Sequence, residues 1–240
     1  ETQVRVMHRV FHNIHRLWTS LSTGKWTDLF AARRASLENE QADMRHEMVD
    51  DSGMWLIAGL GNPGRKYEQN WHNSGFQALD ILARRNQLTI DRIRFQGLIG
   101  LGKIGETRVM LLKPTTYMNR SGSSICEASA FFKIEPSRCL VLYDDIDIPL
   151  GQIRIRENGG PGTHNGMRSI VASLGGENFP RIRIGIGPQP EQWDIADFVL
   201  SDVPEPARES WMQSASRAAE AVEMVCRSGL QTAMNQFNRR

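Results

Sequence analysis

Trp55-Leu-Ile-Ala-Gly-Leu-Gly-Asn-Pro-Gly64 is the segment from which the architecture can be read. Trp55 to Ala58 is an unbroken apolar run, as a strand buried on both faces requires. The remainder satisfies G-x-G-x-x-G, the pattern of a dinucleotide-binding loop. That pattern grips a pyrophosphate only when a helix starts within the glycines and an acid ends the second strand about 20 residues on. Here Gly64 is followed by the polar stretch Arg65 to Ser74, which has no apolar helical face. The helical stripe Phe76, Leu79, Leu82 and Ala83 begins only beyond Ser74, where Asn73 and Ser74 offer N-cap chemistry. Asp80 stands at the right count for the acid, but it lies inside that helix. The dinucleotide reading is therefore rejected. What remains in the loop is an amide side chain, Asn62, and a histidine, His72, that can serve as a general base.

From Met54 onward, apolar strand-like and helix-like segments alternate. Strands are expected at 55–60, 97–103, 107–112, 139–143, 151–156 and 182–186. Helices are expected at 74–86, 119–132, 165–174, 205–227 and 230–238. This alternation predicts one α/β domain over 54–240, with a mixed, mostly parallel twisted sheet between helical layers. Residues 1–53 read as a separate, helix-compatible extension ending in the linker Asp50-Asp51-Ser52-Gly53. Within it His8, His12 and His15 fall on one helical face; with no carboxylate or cysteine beside them, they read as surface or packing positions rather than metal ligands.

Composition narrows the class. Hydrophobic residues make up 40% and charged residues 23% of the 240, ordinary values for a globular protein. No apolar stretch approaches the roughly 18 residues of a membrane span, and no secretory h-region opens the chain. Cys126, Cys139 and Cys226 form neither a C-x-x-C nor an even framework, which points to a reducing cytoplasm. The net charge of +2 does not by itself indicate a nucleic-acid partner. Its distribution is more informative: Arg154, Arg156, Arg168, Arg181 and Arg183 have only Glu157 and Glu177 as near acids in sequence, so they can form a basic strip for phosphates or simply a solvated face.

The candidate chemistry lies at strand ends. In Cys139-Leu-Val-Leu-Tyr-Asp-Asp-Ile-Asp-Ile-Pro149, strand parity groups Asp144 with Leu140, Leu142, Ile146 and Ile148. An inward carboxylate needs a partner, and a histidine N–H would satisfy it while fixing that histidine's tautomer. Read as a Mg²⁺ site, the same triplet lacks a P-loop lysine and a second acidic cluster. Asn119, in Lys113-Pro-Thr-Thr-Tyr-Met-Asn119, and Asn165, in Asn158-Gly-Gly-Pro-Gly-Thr-His-Asn-Gly166, sit at strand-to-helix boundaries as Asn62 does. Each can act as a helix cap. Together with His72 and Asp144, the three amides can also converge on one crevice and bind a peptide backbone or a carbonyl oxygen.

Taken in order, Gly59 to Gly64 with Tyr67 and His72-Asn73, Lys113 to Asn119, Tyr143 to Pro149, His164-Asn165-Gly166 and Arg181-Ile-Arg-Ile-Gly-Ile-Gly187 resemble bacterial peptidyl-tRNA hydrolase. The resemblance runs from Met54 to the C-terminus and leaves 1–53 without a counterpart. It implies a monomeric, cytoplasmic esterase without metal or cofactor, which cleaves the bond between a peptide and the tRNA 3′ ribose. Its partner would be RNA, with neither DNA nor membrane. His72 would be the catalytic base, Asp144 its orienting acid, and Asn62 the amide that positions water or the developing oxyanion. Tyr67, Met118, Asn119 and Asn165 would bind the substrate, and Arg154, Arg156 and Arg183 would hold the tRNA. Trp71 stands where arginine is common in the family and bears on cleft polarity. Thr163 stands where glycine is common and restricts the backbone. The alternative is a non-catalytic RNA-binding relative of the same fold.

Overall fold

The computed structural model describes residues 31–35 and 53–239. Residues 31–35 are helical; 1–30 and 36–52 of the expected extension, His8, His12 and His15 included, lie outside the described residues. From Trp55 the chain forms a seven-stranded sheet: β1 (Trp55–Gly59), β2 (Arg92–Arg94), β3 (Gly97–Ile104), β4 (Thr107–Pro114), β5 (Cys139–Pro149), β6 (Ile153–Arg156) and β7 (Arg181–Gly187). The helices are α1 (Ser74–Arg85), α2 (Ser121–Phe132), α3 (Asn165–Leu174), α4 (Ile195–Leu200), α5 (Glu205–Ser228) and α6 (Leu230–Phe237).

The strand order is β2-β3-β4-β1-β5-β7-β6. The centre is parallel, with β1 pairing both β4 and β5, and β5 pairing β7. Antiparallel strands finish both edges. β1 therefore lies at the point where the chain, having built one half of the sheet, crosses to build the other. In open α/β sheets, ligand crevices form at such a point beyond the carboxyl ends of the strands.

Side-chain alternation explains the layers. Ile57, Leu111, Leu140, Leu142, Ile182 and Ile184 face one way into a core with Leu79 and Leu82 of α1, Ala215 and Val222 of α5, and Phe237 of α6. The alternate residues Leu56, Met110, Leu112 and Val141 are also fully buried, on the face that α2 and α3 cover. A strand buried on both faces has no polar positions, which is why β1 reads as a continuous apolar run.

Two elements were not expected from sequence. β2 is only Arg-Ile-Arg, an exposed edge strand without a repeated alternation. α4 has six residues, too few to show a helical period. β5 is longer than expected: it continues through Asp144, Asp145 and Asp147 to Pro149, with a shift of register against β7 after Asp145.

Candidate active site

The loop after β1 is folded against α1 too tightly for a phosphate. The Phe76 amide, in the first turn of α1, donates to the Leu60 carbonyl at 3.1 Å, and the Leu60 amide donates to Leu142 O at 2.9 Å. A Cβ on Gly75 would lie 2.3 Å from Leu142 O and 2.4 Å from Leu60 N, so the helix reaches the strand only because Gly75 has none. The helix terminus that a dinucleotide would need is occupied by the protein's own backbone. Asp80, the other element of that rejected reading, pairs with Lys113 Nζ of β4 at 2.7 Å.

Asn73 does not cap α1, although it occupies the N-cap position. Its side chain brackets Asn62 instead, accepting from Asn62 N at 2.8 Å and donating to Asn62 O at 3.1 Å. Asn62 Oδ1 in turn accepts from the Met118 amide at 2.9 Å. With its oxygen held there, the amide presents the donor end, Nδ2, on a residue that lines the cleft.

His72 and Asp144 meet in the interior, 7% and 2% exposed. His72 Nδ1 lies 3.0 and 2.9 Å from the two Asp144 oxygens. Since the carboxylate only accepts, Nδ1 carries the proton and Nε2 is left with the lone pair. The pair is supported from behind by Trp71, whose ring packs 5.6 Å from Phe198 and 6.3 Å from Trp211. Ser74 ties this support together, donating to Trp71 O at 2.6 Å and accepting from Trp211 Nε1 at 2.7 Å. Trp71 thus serves an apolar cluster and is 4% exposed, so the expectation that it sets cleft polarity is corrected.

A second histidine shares the carboxylate. His164 Nε2 lies 3.2 Å from Asp144 Oδ1, and its ring is 4.8 Å from that of His72. His164 is also the N-cap of α3: its Nδ1 accepts from the Met167 amide at 3.2 Å. An accepting Nδ1 places the ring proton on Nε2, aimed at Asp144. Burial alone would raise the Asp144 pKa, but the two histidines outweigh it and hold the carboxyl below the usual carboxylate range. The three ligand-type atoms of His72, Asp144 and His164 lie within 4.8 Å of one another, as metal ligands can. Each nitrogen is already hydrogen-bonded to a carboxylate oxygen, however, and these bonds account for the spacing.

In the sequence, His164 is marked only by its place within the glycine-rich motif. A second His-Asn pair at a helix start, matching His72-Asn73, was the available signal. Two roles can be separated here. His164→Ala should lower kcat about tenfold through loss of a donor to a buried charge. It should also destabilise α3 by about 0.5–2 kcal/mol. His164→Asn should recover the cap but not kcat, because the shorter side chain cannot reach Asp144. Full activity in both variants would leave His164 with the cap alone.

These groups open onto a cleft of about 710 Å³ that also includes Met118, Asn119, Asn165, Arg156 and Arg183. Asn119 and Asn165 are exposed at its rim and cap nothing: the N-cap positions of α2 and α3 are Arg120 and His164. Tyr67 stands behind the rim, edge-on to Tyr117 at 6.5 Å, and it is Tyr117 that reaches the cleft. Thr163 also lines it; the left-handed positions of the glycine-rich loop fall on Gly159 and Gly162, so threonine strains nothing.

The arginines divide into different kinds. Arg181 is 1% exposed, stacks on Phe179 and donates to the carbonyls of Gly159, Glu177 and Phe179, so it supports the glycine-rich loop rather than facing solvent. Arg183 Nε pairs with Asp145 Oδ2 at 2.6 Å, which corrects the expectation that the strip meets only Glu157 and Glu177. Burial would lower the Arg183 pKa, and the Asp145 bond more than reverses that. Arg156 and Arg168 are exposed in the cleft lining. Arg154 is elsewhere: its Nη1 donates to Asn238 O at 3.2 Å, beside a separate cavity.

A buried carboxylate bonded to a histidine, with an amide side chain lining the same cleft at the switch point of an α/β sheet, is an arrangement that hydrolysis can use. Cys139 and Cys226, both pushed up to about 12 by burial, hold inert thiols. Comparison with known proteins supplies the family. The family described as peptidyl-tRNA hydrolase matches residues 56–240, and the chain belongs to it. A peptidyl-tRNA hydrolase of Alkaliphilus oremlandii is 46% identical over 185 residues, covering 77% of this chain and 100% of the relative. One of Chloroflexus aurantiacus is 48% identical over 186 residues, covering 77% and 99%. The crystal structure of peptidyl-tRNA hydrolase from Acinetobacter baumannii superposes with a TM-score of 0.73 at 39% identity, covering 77% of this chain and 94% of that one.

Proposed function

We propose that this chain hydrolyses the ester between the peptide and the 3′ ribose of peptidyl-tRNA, with His72 as general base toward water. The single observation that carries the mechanism is the His72–Asp144 contact, which fixes the tautomer and leaves Nε2 as the base on a ring lining the cleft. Nε2 takes a proton from water, and the hydroxide oxygen adds to the ester carbonyl. Asn62 Nδ2 donates to the resulting oxyanion. Collapse of the tetrahedral intermediate expels the ribose 3′ oxygen, which receives the proton from His72, leaving the peptide carboxyl and a free tRNA end. An ester is reactive enough for this machinery. General-base action supplies about 10²–10⁴-fold, and one oxyanion donor about 2.7–4 kcal/mol.

The cleft walls suit the two halves of such a substrate. Tyr117 is 54% exposed at one rim, and Ile195 and Leu200, at 38% and 44%, line the same cleft from α4. They offer apolar area to peptide side chains, while Asn119 and Asn165 offer donors and acceptors to the peptide backbone. Arg156 and Arg168 present positive charge for the RNA end, and Arg183, already paired with Asp145, adds a third cation. The non-catalytic alternative finds no support in the family match, and His72, Asp144 and Asn62 all line the cleft.

The test is release of N-acetyl-aminoacyl groups from tRNA beside the same tRNA carrying an unblocked amino acid. The blocked substrate should be hydrolysed and the unblocked one spared; turnover of neither defeats the reading. Asn62→Ala should lower kcat about 10²–10³-fold with little change in KM, as expected for a donor engaged only in the transition state. A rise in KM at constant kcat would instead make Asn62 a ground-state contact.

A further inference from the structure

Lys113 and Asp80 do not line the cleft, yet both bear on how Asn62 is held. Lys113 Nζ, at the end of β4, donates to the two oxygens of Asp80 on α1 at 2.9 and 2.7 Å. The same ammonium lies 4.7 Å from the centre of the Phe76 ring, one helical turn before Asp80. We infer that Lys113 and Asp80 are positioning residues for the Asn62 amide, which they hold in place through Phe76 on one side and the Met118 turn on the other. The inference rests on the reading that Asn62 Nδ2 receives the oxyanion.

The first route runs through the ring. Phe76 is buried and packs directly against Gly61, the residue before Asn62. A Cβ on Gly61 would lie 2.6 Å from Phe76 Cγ and 2.8 Å from both Cδ atoms. The ring therefore sets the level of the turn at the point where the chain enters Asn62. Its tilt is restrained by the ammonium over it, an attraction that strengthens as the cation is desolvated. The Lys113 side chain is 15% exposed, so water screens this contact less than it would on an open surface. Asp80, by binding the ammonium with both oxygens, keeps it there.

The second route runs along the chain. Lys113 opens the segment Lys113-Pro-Thr-Thr-Tyr-Met118, whose last amide donates to Asn62 Oδ1 at 2.9 Å. Just before that donor, Tyr117 has φ 59° and ψ 160°, a conformation that a residue with a Cβ keeps only where its surroundings over-determine it. A strained residue of this kind needs an anchor on each side. Downstream the anchor is the Met118–Asn62 bond. Upstream it is Lys113 on Asp80, together with Thr115, whose amide and hydroxyl donate to Gln96 O at 2.9 and 3.0 Å. Without the ion pair, Thr115 alone resists relaxation of Tyr117, and the Met118 N–H is held less firmly on Asn62. That bond decides which end of the carboxamide faces the cleft. An ordinary surface ion pair would lie on neither route.

The experiment measures kcat and KM on N-acetyl-aminoacyl-tRNA for wild type, Lys113→Met, Asp80→Asn and Asn62→Ala, and for each of the first two variants combined with Asn62→Ala. Lys113→Met keeps the apolar stem and Asp80→Asn keeps the shape, so each removes one charge of the pair and little else. Asp80→Asn, at a half-buried position, carries the test alone if Lys113→Met does not fold. Each single variant should lower kcat about tenfold with KM within about twofold of wild type, since misplacing a positioned group by about 1 Å costs up to about 10²-fold. In the Asn62→Ala background neither should lower kcat by more than about a further twofold, because the group they position is gone. Wild-type kcat in both single variants would overturn the inference. An equal fractional loss with and without Asn62 would place the effect in the fold and overturn it as well. If Asn62→Ala itself keeps wild-type kcat, or the wild type hydrolyses nothing, the reading of Asn62 falls and takes the inference with it. Loss of kcat in Asn62→Ala with none in Lys113→Met or Asp80→Asn strikes the inference alone.

Discussion

Replacing His72 with alanine is expected to lower kcat for N-acetyl-aminoacyl-tRNA about 10²–10⁴-fold while leaving tRNA affinity close to that of the wild type. The ring reaches the carboxylate from inside the fold and does not share its position with the exposed cleft arginines, Arg156 and Arg168. Its loss therefore removes the base without removing binding area. The same substitution leaves Asp144 with one histidine donor instead of two, so a stability loss of about 1–3 kcal/mol should accompany it. Single-turnover rates with enzyme in excess, together with equilibrium unfolding, separate the two effects. Normal turnover in this variant would remove His72 from the mechanism.

Asp144→Asn should be nearly as damaging, although it is isosteric. The loss goes beyond orientation of the ring. Two ring N–H groups point at this carboxylate, and an amide has only one oxygen to receive them. Its NH₂ would face a ring nitrogen that already carries a proton. His164 is held to its tautomer by the Met167 amide, so the conflict is resolved at His72, whose proton moves to Nε2. The base then has no lone pair toward water. In hydrolase triads, this exchange costs up to about 10⁴ in kcat for the same reason. A kcat within twofold of wild type would show that Asp144 does not set the tautomer.

The acid dependence of stability follows in sign. The folded-state pKa of Asp144 is depressed, so its contribution is present above the unfolded carboxylate value of about 3.9 and is lost as pH falls through the folded value. Protonating the histidines leaves N–H groups facing the carboxylate. The difference in urea midpoint between wild type and Asp144→Asn should therefore be large at neutral pH and shrink only in strong acid.

Much of this was legible because it is local. The β1 run, the late start of α1 and the inward parity of Asp144 each rest on a few adjacent residues. Asn62 was identifiable because the glycine pattern could not be completed by a helix. What escaped depends on which strands become neighbours. The sharing of Asp144 by His72 and His164 joins residues from three segments. The pairing of Arg183 with Asp145 exists only because β7 lies beside β5. Arg181 and Arg183 have identical side chains two residues apart. One is buried among loop carbonyls and the other is paired in the cleft, which composition cannot separate. Trp71 reads as a polar-loop anomaly until Phe198 and Trp211, more than a hundred residues away, are seen to enclose it.

Asn73 has a consequence for how this chemistry could be moved or repaired. By tying itself to the Asn62 backbone, it makes Asn62 and His72, the proposed oxyanion donor and base, the two ends of a single clip, closed within a dozen residues. Donor and base cannot drift apart without opening that clip. From outside the clip, the two side chains are bonded by the Met118 amide and the Asp144 carboxylate, and Phe198 and Trp211 pack against Trp71 beside them. The segment from Gly59 to Phe76 thus sets the spacing of Asn62 and His72 within itself, while the strands on either side of β1 supply one contact each: Asp144 from β5 and the Met118 amide from the turn after β4.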